Sequence, residues 1–227
     1  MLNDIINIRH LLHSHPELSG SEEHTHNMLA RYLQALNPTR LYTNVGGYGL
    51  VAAWYRSEQY STIAFRADID ALPISETLVA EYRSKVEGVS HKCGHDGHSA
   101  ILLRLAEVVD AERPNVNIVL IFQAEEETGK GARRILESDV LAGYNIDAIY
   151  GFHNLPRYSV GSVVLKKGTF AAASVGVAIT MVGRQTHAAH PEEGINPAMA
   201  VADIIRLMND YNAAHRSVDD FQQSTLI

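Results

Sequence analysis

The apolar run at residues 116–122 is the feature that most constrains how this 227-residue chain folds. A strand that is apolar along its length is typical of the centre of a sheet covered on both faces. Runs rich in β-branched and aromatic residues predict further strands at 49–55, 62–66, 146–152 and 160–165. Helical periodicity and helix-start signals predict helices at 4–13, 19–36, 99–109 and 131–137. Because strands alternate with helices, we predict an α/β layered domain with a mostly parallel central sheet flanked by helices.

The second predicted helix has a recognisable start signal. Ser19 and Glu22 stand three residues apart, which matches a capping box, where each side chain bonds the backbone N–H of the other residue. The helix is therefore predicted to begin at this pair and to end near Leu36, shortly before Pro38.

The sequence changes character near Gly168. A strand of alternating small and apolar residues is predicted at 174–182, and an amphipathic helix at 197–211. One strand and one helix are too little for an independent core. We therefore divide the chain into a first domain at 1–172 and the start of a smaller α/β domain at 173–227.

Charge and composition exclude several classes of partner. Lysine and arginine number 19 against 26 acidic residues, and a net charge of −7 argues against nucleic acid and anionic membranes as partners. A single cysteine excludes an internal disulfide framework. The N-terminus lacks the pattern of a signal peptide, and no apolar run approaches the length of a membrane span. These observations predict a cytoplasmic protein whose thiol stays reduced.

Residues 91–98, His-Lys-Cys-Gly-His-Asp-Gly-His, have the composition of a metal site. Cys93 and His95 are two residues apart, so in an extended loop both side chains point to one side. A thiolate and an imidazole suit a borderline divalent metal such as zinc, nickel, cobalt or manganese. The alternative is a histidine-rich surface loop with one buried thiol.

Three more segments carry acidic or metal-binding side chains directly after predicted strands. The carboxyl ends of the strands form the ligand crevice of an open α/β sheet, so we expect these segments to converge. In the first of them Asp68 and Asp70 alternate, which lets one carboxylate face the site and orient a metal-bound histidine. Two turn-forming aspartates before a proline give the same pattern.

Glutamates follow the central strand at 125–127, and His153 follows another apolar strand. Adjacent carboxylates repel each other unless a cation lies nearby. A metal pair would bind one glutamate and leave another as a general base. The alternatives are ordinary: a run of charge is typical of a solvated surface, and a lone histidine is typical of a satisfied core residue.

A turn between the strand and the helix of the second unit carries His187. A cationic histidine on a separate domain would close over a site and stabilise an oxyanion. The turn by itself is a weak signal.

In this order the motifs resemble those of the metal-dependent aminoacylase and carboxypeptidase-like amidohydrolases. The most similar branch contains hippurate hydrolases, indole-acetyl-amino-acid hydrolases and N-acyl-diaminopimelate deacetylases. The resemblance covers Leu-His-Ser-His-Pro-Glu-Leu at 12–18, Arg-Ala-Asp-Ile-Asp-Ala-Leu-Pro at 66–73 and the octet at 91–98. It continues through residues 122–132, Gly-Phe-His at 151–153 and His-Ala-Ala at 187–189.

The resemblance implies a catalytic α/β domain with two divalent metal ions (Mn, Zn, Co or Ni) and a smaller lid domain. By resemblance, the metal ligands are Cys93, His95, Glu127 and His153. Glu126 corresponds to the general base, Asp70 to a carboxylate that orients a ligand, and His187 to a lid histidine that steadies the tetrahedral intermediate. The implied reaction is hydrolysis of the amide bond of N-acyl amino acids. The alternative is a metal-binding homologue without activity.

The chain departs from the family pattern at three places. Lys92 stands where the family usually has a small residue, and its ammonium near the metals would be an electrostatic cost unless it points away. Ala124 and Glu125 stand where Pro-Ala usually precedes two glutamates, which leaves the register of base and ligand uncertain by one residue. Family members also continue through the lid and back into the catalytic domain, and that return carries a fifth ligand. We therefore expect this chain to stop within the lid, to bind metal weakly and show little or no hydrolysis alone, and to dimerise through the lid only in a full-length form.

Overall fold

The computed structural model describes residues 2–168, 171, 175–215, 223 and 225. The helices are α1 (Leu2–Ser14), α2 (Glu23–Ala35), α3 (His95–Glu112), α4 (Gly131–Glu137) and α5 (Ala198–Ala214). The strands are β1 (Arg40–Val45), β2 (Gly49–Trp54), β3 (Thr62–Asp68), β4 (Asn117–Gln123) and β5 (Ile146–Gly151). Short 3₁₀ turns at Val140–Gly143 and Pro191–Glu193 complete the described elements.

The five strands form one sheet in the order β1-β2-β4-β3-β5. β3 pairs in parallel with β4 and β5, whereas β2 runs antiparallel to both β1 and β4. Four of the five strands therefore share one direction, and the predicted α/β class is confirmed. β2 and β4 are buried along their whole length, as the apolar run at 116–122 predicted for a central strand.

Both faces of the sheet are covered. On one face, residues of α1, α2 and α3 such as Ile5, Leu29 and Leu102 pack with Phe122 of β4. On the other face, a smaller cluster joins β2 and β4 to Ile135 of α4. Burying an apolar side chain of this size stabilises the fold by about 1.5–3 kcal/mol. Packing on both faces of the sheet thus fixes the positions of the strand ends.

The start of α2 differs from the prediction. The helix begins at Glu23, and no side chain caps it in the manner of a capping box. Ser19 Oγ instead donates a hydrogen bond to Asp70, and Glu22 accepts one from the backbone of Glu125. The Glu17 carboxylate accepts from two backbone N–H groups of the first turn. The capping-box prediction was wrong because both side chains have distant partners.

Two predicted strands are not formed in the residues that the structure describes. Residues 160–165 and 175–182 have no strand assignment and lie mostly exposed; Ser174, also in the second predicted strand, lies outside the described residues. Both segments had suitable composition, but a strand requires a hydrogen-bonded neighbour. Strand β1 was not predicted, because only Val45 in it is fully buried and the periodicity is weak.

The chain divides into two compact units, Met1–Val160 and Gly161–Ile227. In the second unit, the backbones of Arg184 and Ile195 bond to each other reciprocally, and α5 follows this bridge. The predicted helix at 197–211 is confirmed by α5. The boundary between 172 and 173, with a catalytic and a lid role on its two sides, stays a prediction. Among the described helices none has the length and apolar character needed to cross a membrane.

Candidate metal centre

Three parallel strands and one helix bring the polar segments of the first unit together. Asp70 follows β3, Glu126 and Glu127 follow β4, and His153 follows β5. His95 is the first residue of α3, the helix that connects β3 to β4. Because the carboxyl ends of parallel strands lie at one edge of a sheet, these side chains meet there.

His95 is the centre of the arrangement and is fully buried. Its Nδ1 lies 2.9 Å from the Asp70 carbonyl oxygen and 3.2 Å from Asp70 Oδ1. Both partners are acceptors, so Nδ1 carries the proton and Nε2 presents a lone pair. Nε2 is buried without a hydrogen-bond partner among the described residues. An unpaired buried nitrogen of this kind is costly, and a cation would satisfy it.

Three groups of ligand atoms share His95, each with its atoms within 4.8 Å of one another. The first contains Cys93, His95 and His153, and the second contains His95, Glu126 and Glu127. The third joins His95 to Asp68 and His98. From His95 Nε2, carboxylate oxygens lie 3.7 Å away on Glu127 and 3.9 Å away on Glu126.

Cys93 and His153 also contact each other, with 3.2 Å between Sγ and Nε2. They are 60 residues apart in the chain, so the fold and not the sequence brings them together. Sulfur, nitrogen and carboxylate oxygen are the donors that zinc, cobalt, nickel and manganese take in proteins. The residues present therefore fit a site for such metals.

The electrostatics of the site favour a bound cation. Burial, helped by the charge of Glu127, raises the pKa of the Cys93 thiol to about 12. Burial also raises the pKa of the Glu127 carboxyl, with the charge of Glu126 adding to the effect and His95 opposing it. Burial and nearby negative charge thus both disfavour the charged forms of these two groups. A divalent cation would reverse this effect, because it attracts a thiolate and a carboxylate.

Asp70 is fully buried and connects three parts of the site. It contacts His95 through Oδ1, whereas Oδ2 accepts hydrogen bonds from Ser19 Oγ at 2.7 Å and from the Glu127 backbone at 3.0 Å. Burial opposes ionisation, but these hydrogen bonds hold the pKa of Asp70 below its usual value. An ionised Asp70 therefore fixes both the ring of His95 and the backbone of Glu127.

Glu125 does not face the centre. Its carboxylate pairs with Arg134, and its backbone N–H donates to Glu22 Oε1 at 2.9 Å. Its φ of 51° reverses the backbone direction just before Glu126 and Glu127. Because Glu125 is turned away, the geometry favours the register in which Glu126 is the predicted base and Glu127 the predicted ligand.

Three more residues lie beside the centre: Asp68, which the sequence left as an alternative to Asp70, and His98 and Asn154, to which sequence reasoning gave no individual role. Asp68 Oδ2 lies 3.5 Å from His95 Nε2, and Asp68 Oδ1 lies 2.6 Å from His98 Nδ1. Burial opposes ionisation, but the hydrogen bond from His98 and nearby positive charges hold the pKa of Asp68 at about 2. The available signals were the alternation of Asp68 with Asp70 and the spacing of His98 one helical turn after His95.

A second polar network supports the octet from the side of α1. The carboxylate of Asp96 accepts hydrogen bonds from Arg9 Nε and His13 Nδ1, each at 2.9 Å. Glu76 contacts His13 and also receives a hydrogen bond from Lys92 Nζ at 2.6 Å. Lys92 is therefore paired with a carboxylate of its own. This network links the motif at 12–18 to the octet.

His187 is described only within the second unit. Its Nδ1 accepts a hydrogen bond from the backbone of Ala189 at 3.1 Å, and its ring lies 6.3 Å from that of His190. These contacts order the turn that carries it. Its role over the metal centre stays a prediction.

The fold and the centre define a class of protein: an α/β metallohydrolase with paired metal-binding groups at the carboxyl edge of its sheet. The chain belongs to peptidase family M20/M25/M40, whose model matches residues 64–221. The match includes the segment after β3, the octet, the glutamates, His153 and His187. The family suspected from the order of the motifs is confirmed.

Named relatives place the chain in the suspected branch. It is 38% identical over 203 residues to an N-acetylcysteine deacetylase of Bacillus subtilis, covering 88% of this chain and 53% of that protein. It is 35% identical over 198 residues to a hippurate hydrolase of Campylobacter jejuni, covering 87% of this chain and 51% of that protein. The chain thus spans about half the length of the curated relatives it matches.

A solved structure matches the same region. The Bacillus subtilis YXEP protein, described as a dinuclear metal-binding peptidase of the same family, superposes with a TM-score of 0.68 at 38% identity. The superposition covers 73% of this chain and 46% of that protein.

Proposed function

We propose that this chain forms the metal-binding part of an amidohydrolase that cleaves the amide bond of N-acyl amino acids. One observation carries the proposal: buried His95, whose Nε2 has no hydrogen-bond partner among the described residues, shares one group of ligand atoms with Cys93 and His153 and another with two glutamates. The proposed ligands are Cys93, His95, Glu127 and His153.

Glu126 is the proposed general base. Its side chain is 39% exposed, the highest value among the acids facing His95, so it is open to both water and substrate. Glu126 would take a proton from the attacking water and pass it to the departing amine. When bound, two divalent cations polarise the scissile carbonyl and lower the pKa of water.

The other proposed roles concern orientation and the oxyanion. Asp70 holds His95 in the tautomer that leaves Nε2 free, as its contacts with Nδ1 indicate. His187 would donate to the developing oxyanion from the second unit. Cys93 Sγ and the histidine nitrogens favour zinc, cobalt or nickel, and the carboxylates also suit manganese.

The proposed substrates follow from the names of the relatives, an N-acetylcysteine deacetylase and a hippurate hydrolase. Each is named for a small N-acyl amino acid, and we propose this class for the protein that contains this chain. A homodimer formed through the second unit is the proposed assembly. The second candidate is an inactive homologue that binds metal.

Made in the protein that contains this chain, Glu126→Gln tests the proposed base and the reaction together. The amide preserves the shape of the side chain but not its basicity, so turnover of N-acetylcysteine and hippurate should fall about 10²–10⁴-fold. The metal content per chain should stay at the wild-type value. Glu125→Gln is the matched control and should retain turnover, because Glu125 faces Arg134.

The outcomes separate the candidates. Turnover by Glu126→Gln at the wild-type rate would show that Glu126 is not the base. A wild-type protein that binds metal and hydrolyses neither substrate would favour the inactive homologue. A protein that binds no divalent metal would remove both proposals.

A further inference from the structure

The loop that carries His153 has few supports of its own. β5 ends at Gly151, and residues 152–155 have no regular structure. His153 is exposed, and its Nδ1 donates a hydrogen bond to the carbonyl oxygen of the next residue, Asn154, at 2.8 Å. Its Nε2 is thereby directed towards Cys93. The position of His153 therefore depends on what holds Asn154.

His98 holds Asn154. The backbone N–H of Asn154 donates to His98 Nε2 at 3.1 Å, and the side-chain amide of Asn154 contacts the same nitrogen. The other ring nitrogen of His98 contacts Asp68 Oδ1 at 2.6 Å. Asp68 is the last residue of β3 and is paired with Arg66 at 2.8 Å. His98 thus connects the exposed loop to the buried end of a central strand.

The octet leaves space for this contact at Gly94. Its φ of 93° lies in the left-handed region, and a Cβ at this position would lie 2.6 Å from Asn154 Oδ1. Asn154 therefore packs directly against the backbone between Cys93 and His95. The helix that provides one proposed ligand, His95, also provides the residue that fixes the loop of another.

We propose that His98 and Asn154 are positioning residues that hold His153 against Cys93, so that His153 acts as a metal ligand only while this contact is intact. The inference rests on the proposed function, because it takes His153 as a ligand. It adds a determinant of the site that neither the family match nor the ligand geometry assigns.

The competing interpretation is that His98 is itself a ligand. The ligand atoms of Asp68, His95 and His98 lie within 4.8 Å of one another. However, both ring nitrogens of His98 already have partners, whereas Nε2 of His95 has none. A ligand must present a free lone pair, and His98 would have to break a contact to do so. The contacts therefore favour the positioning role.

A matched pair of substitutions separates the two contacts of His98. In His98→Gln the carboxamide reaches the position of Nε2 and keeps a partner for Asn154. In His98→Asn the shorter side chain brings its carboxamide only to the position of Nδ1. This variant therefore keeps the contact with Asp68 and loses the contact with Asn154. Cobalt(II) titration of the metal-free chain, followed through the visible absorption bands, measures the affinity without any need for hydrolysis.

The expected results distinguish a His98 that positions another ligand from a His98 that binds the metal itself. His98→Asn should weaken cobalt binding by about 10–100-fold, the effect usual for a residue that orients a ligand. His98→Gln should retain most of the affinity. In a His153→Ala background, His98→Asn should have no further effect, because it acts only through His153.

Other results overturn the proposal. Wild-type affinity in His98→Asn would show that the contact is not needed. An equal loss in the His153→Ala background would show that His98 contributes independently, as a ligand does. Asn154 is exposed, so Asn154→Ala keeps the test decisive if His98→Asn fails to fold. It removes the side-chain contact with His98 and keeps the backbone one, so it should weaken cobalt binding less than His98→Asn does, and only when His153 is present. Wild-type affinity in Asn154→Ala would show that the side chain of Asn154 has no positioning role.

The proposal and the proposed function fail in different ways. A chain that binds cobalt with the expected dependence on His98 but never hydrolyses an N-acyl amino acid would contradict only the proposed function. Normal hydrolysis with no effect of His98→Asn on cobalt binding would contradict only the positioning role. A chain that binds no cobalt would contradict both.

Discussion

His95 and Asp70 meet through a single ring nitrogen, Nδ1, which lies within 3.2 Å of both the carbonyl oxygen and a carboxylate oxygen of Asp70. Asp70 thereby sets the tautomer and the orientation of the His95 ring. The consequence is chemical, because the lone pair of Nε2 is then left free, 3.7 Å from Glu127 Oε1. If His95 is a metal ligand as proposed, Asp70 would control metal binding without touching the metal.

Asp70→Asn should weaken binding of cobalt or zinc by about 10–100-fold and leave the fold intact. The amide has the same shape, but it is neutral and provides one acceptor oxygen where the carboxylate provides two. Metal titration of the variant measures the loss, and circular dichroism reports the fold.

Asp110→Asn is a matched control for the Asp70 variant. Asp110 accepts a hydrogen bond from Trp54 near the other end of α3, about 20 Å along the helix from His95. Its replacement changes the charge equally and should not alter metal affinity. If both variants bound metal as the wild type does, Asp70 would have no role in orienting His95.

The sequence allowed the edge of the sheet that carries the site to be predicted, for a simple reason. A parallel α/β sheet gathers the ends of its strands, so Asp70, Glu126 and His153 could be expected near one another from the order of the elements alone. The structure brings them around His95. Their roles in metal binding and catalysis stay predictions.

The supporting contacts could not be predicted, because their partners are far away in the chain. His98 and Asn154 are 56 residues apart, and nothing in the sequence tells a histidine that holds a loop from one that binds a metal. Glu22 had the spacing of a capping box, yet its partner is the backbone of Glu125, 103 residues away. Short-range patterns predict helices and strands well but do not identify such partners.

Glu22 is a buried carboxyl group whose charge we expect to destabilise the fold. It has no exposed surface, Oε1 accepts the N–H of Glu125, and Oε2 has no partner among the described residues. Burial raises the pKa of Glu22 above its usual value. The neutral carboxyl of Glu22 therefore makes its full contribution to stability below about pH 4.3, the pKa of a glutamate in the unfolded chain. That contribution is lost as the pH rises through the raised pKa of the folded state.

Glu22→Gln keeps an acceptor for Glu125 and removes the charge. Relative to wild type, its free energy of unfolding should rise between pH 4.5 and pH 7.5, as measured by urea denaturation of the metal-free chain. Glu22→Ala should cost about 1–3 kcal/mol, because the N–H of Glu125 loses its partner. Glu23→Gln, at the exposed neighbouring position, controls for net charge. A difference between Glu22→Gln and wild type that does not change with pH would contradict the role given to burial.

Gly94 and Gly97 are two glycines of the octet with opposite expected responses to alanine. Gly94 has a φ of 93°, and its Cβ would lie 2.6 Å from Asn154 Oδ1. Gly97 lies within α3, and a Cβ there would have no atom within 4 Å. Gly94→Ala should lower the free energy of unfolding by about 1–2 kcal/mol from the left-handed backbone alone. Gly97→Ala should raise it by about 0.5–1 kcal/mol, because alanine favours a helix.

The Gly94 variant also tests how the octet is joined to the loop of His153. A methyl group at Gly94 would push Asn154 away, and His153 with it, so cobalt binding should weaken in Gly94→Ala and not in Gly97→Ala. Combining Gly94→Ala with Asn154→Ala should restore part of the stability, because the close contact is gone. Affinity for cobalt should stay low in the double variant, since the contact between the Asn154 side chain and His98 is still missing. Recovery of affinity together with stability would instead mean that the steric contact with Asn154, and not the loss of its side-chain contact with His98, weakens metal binding.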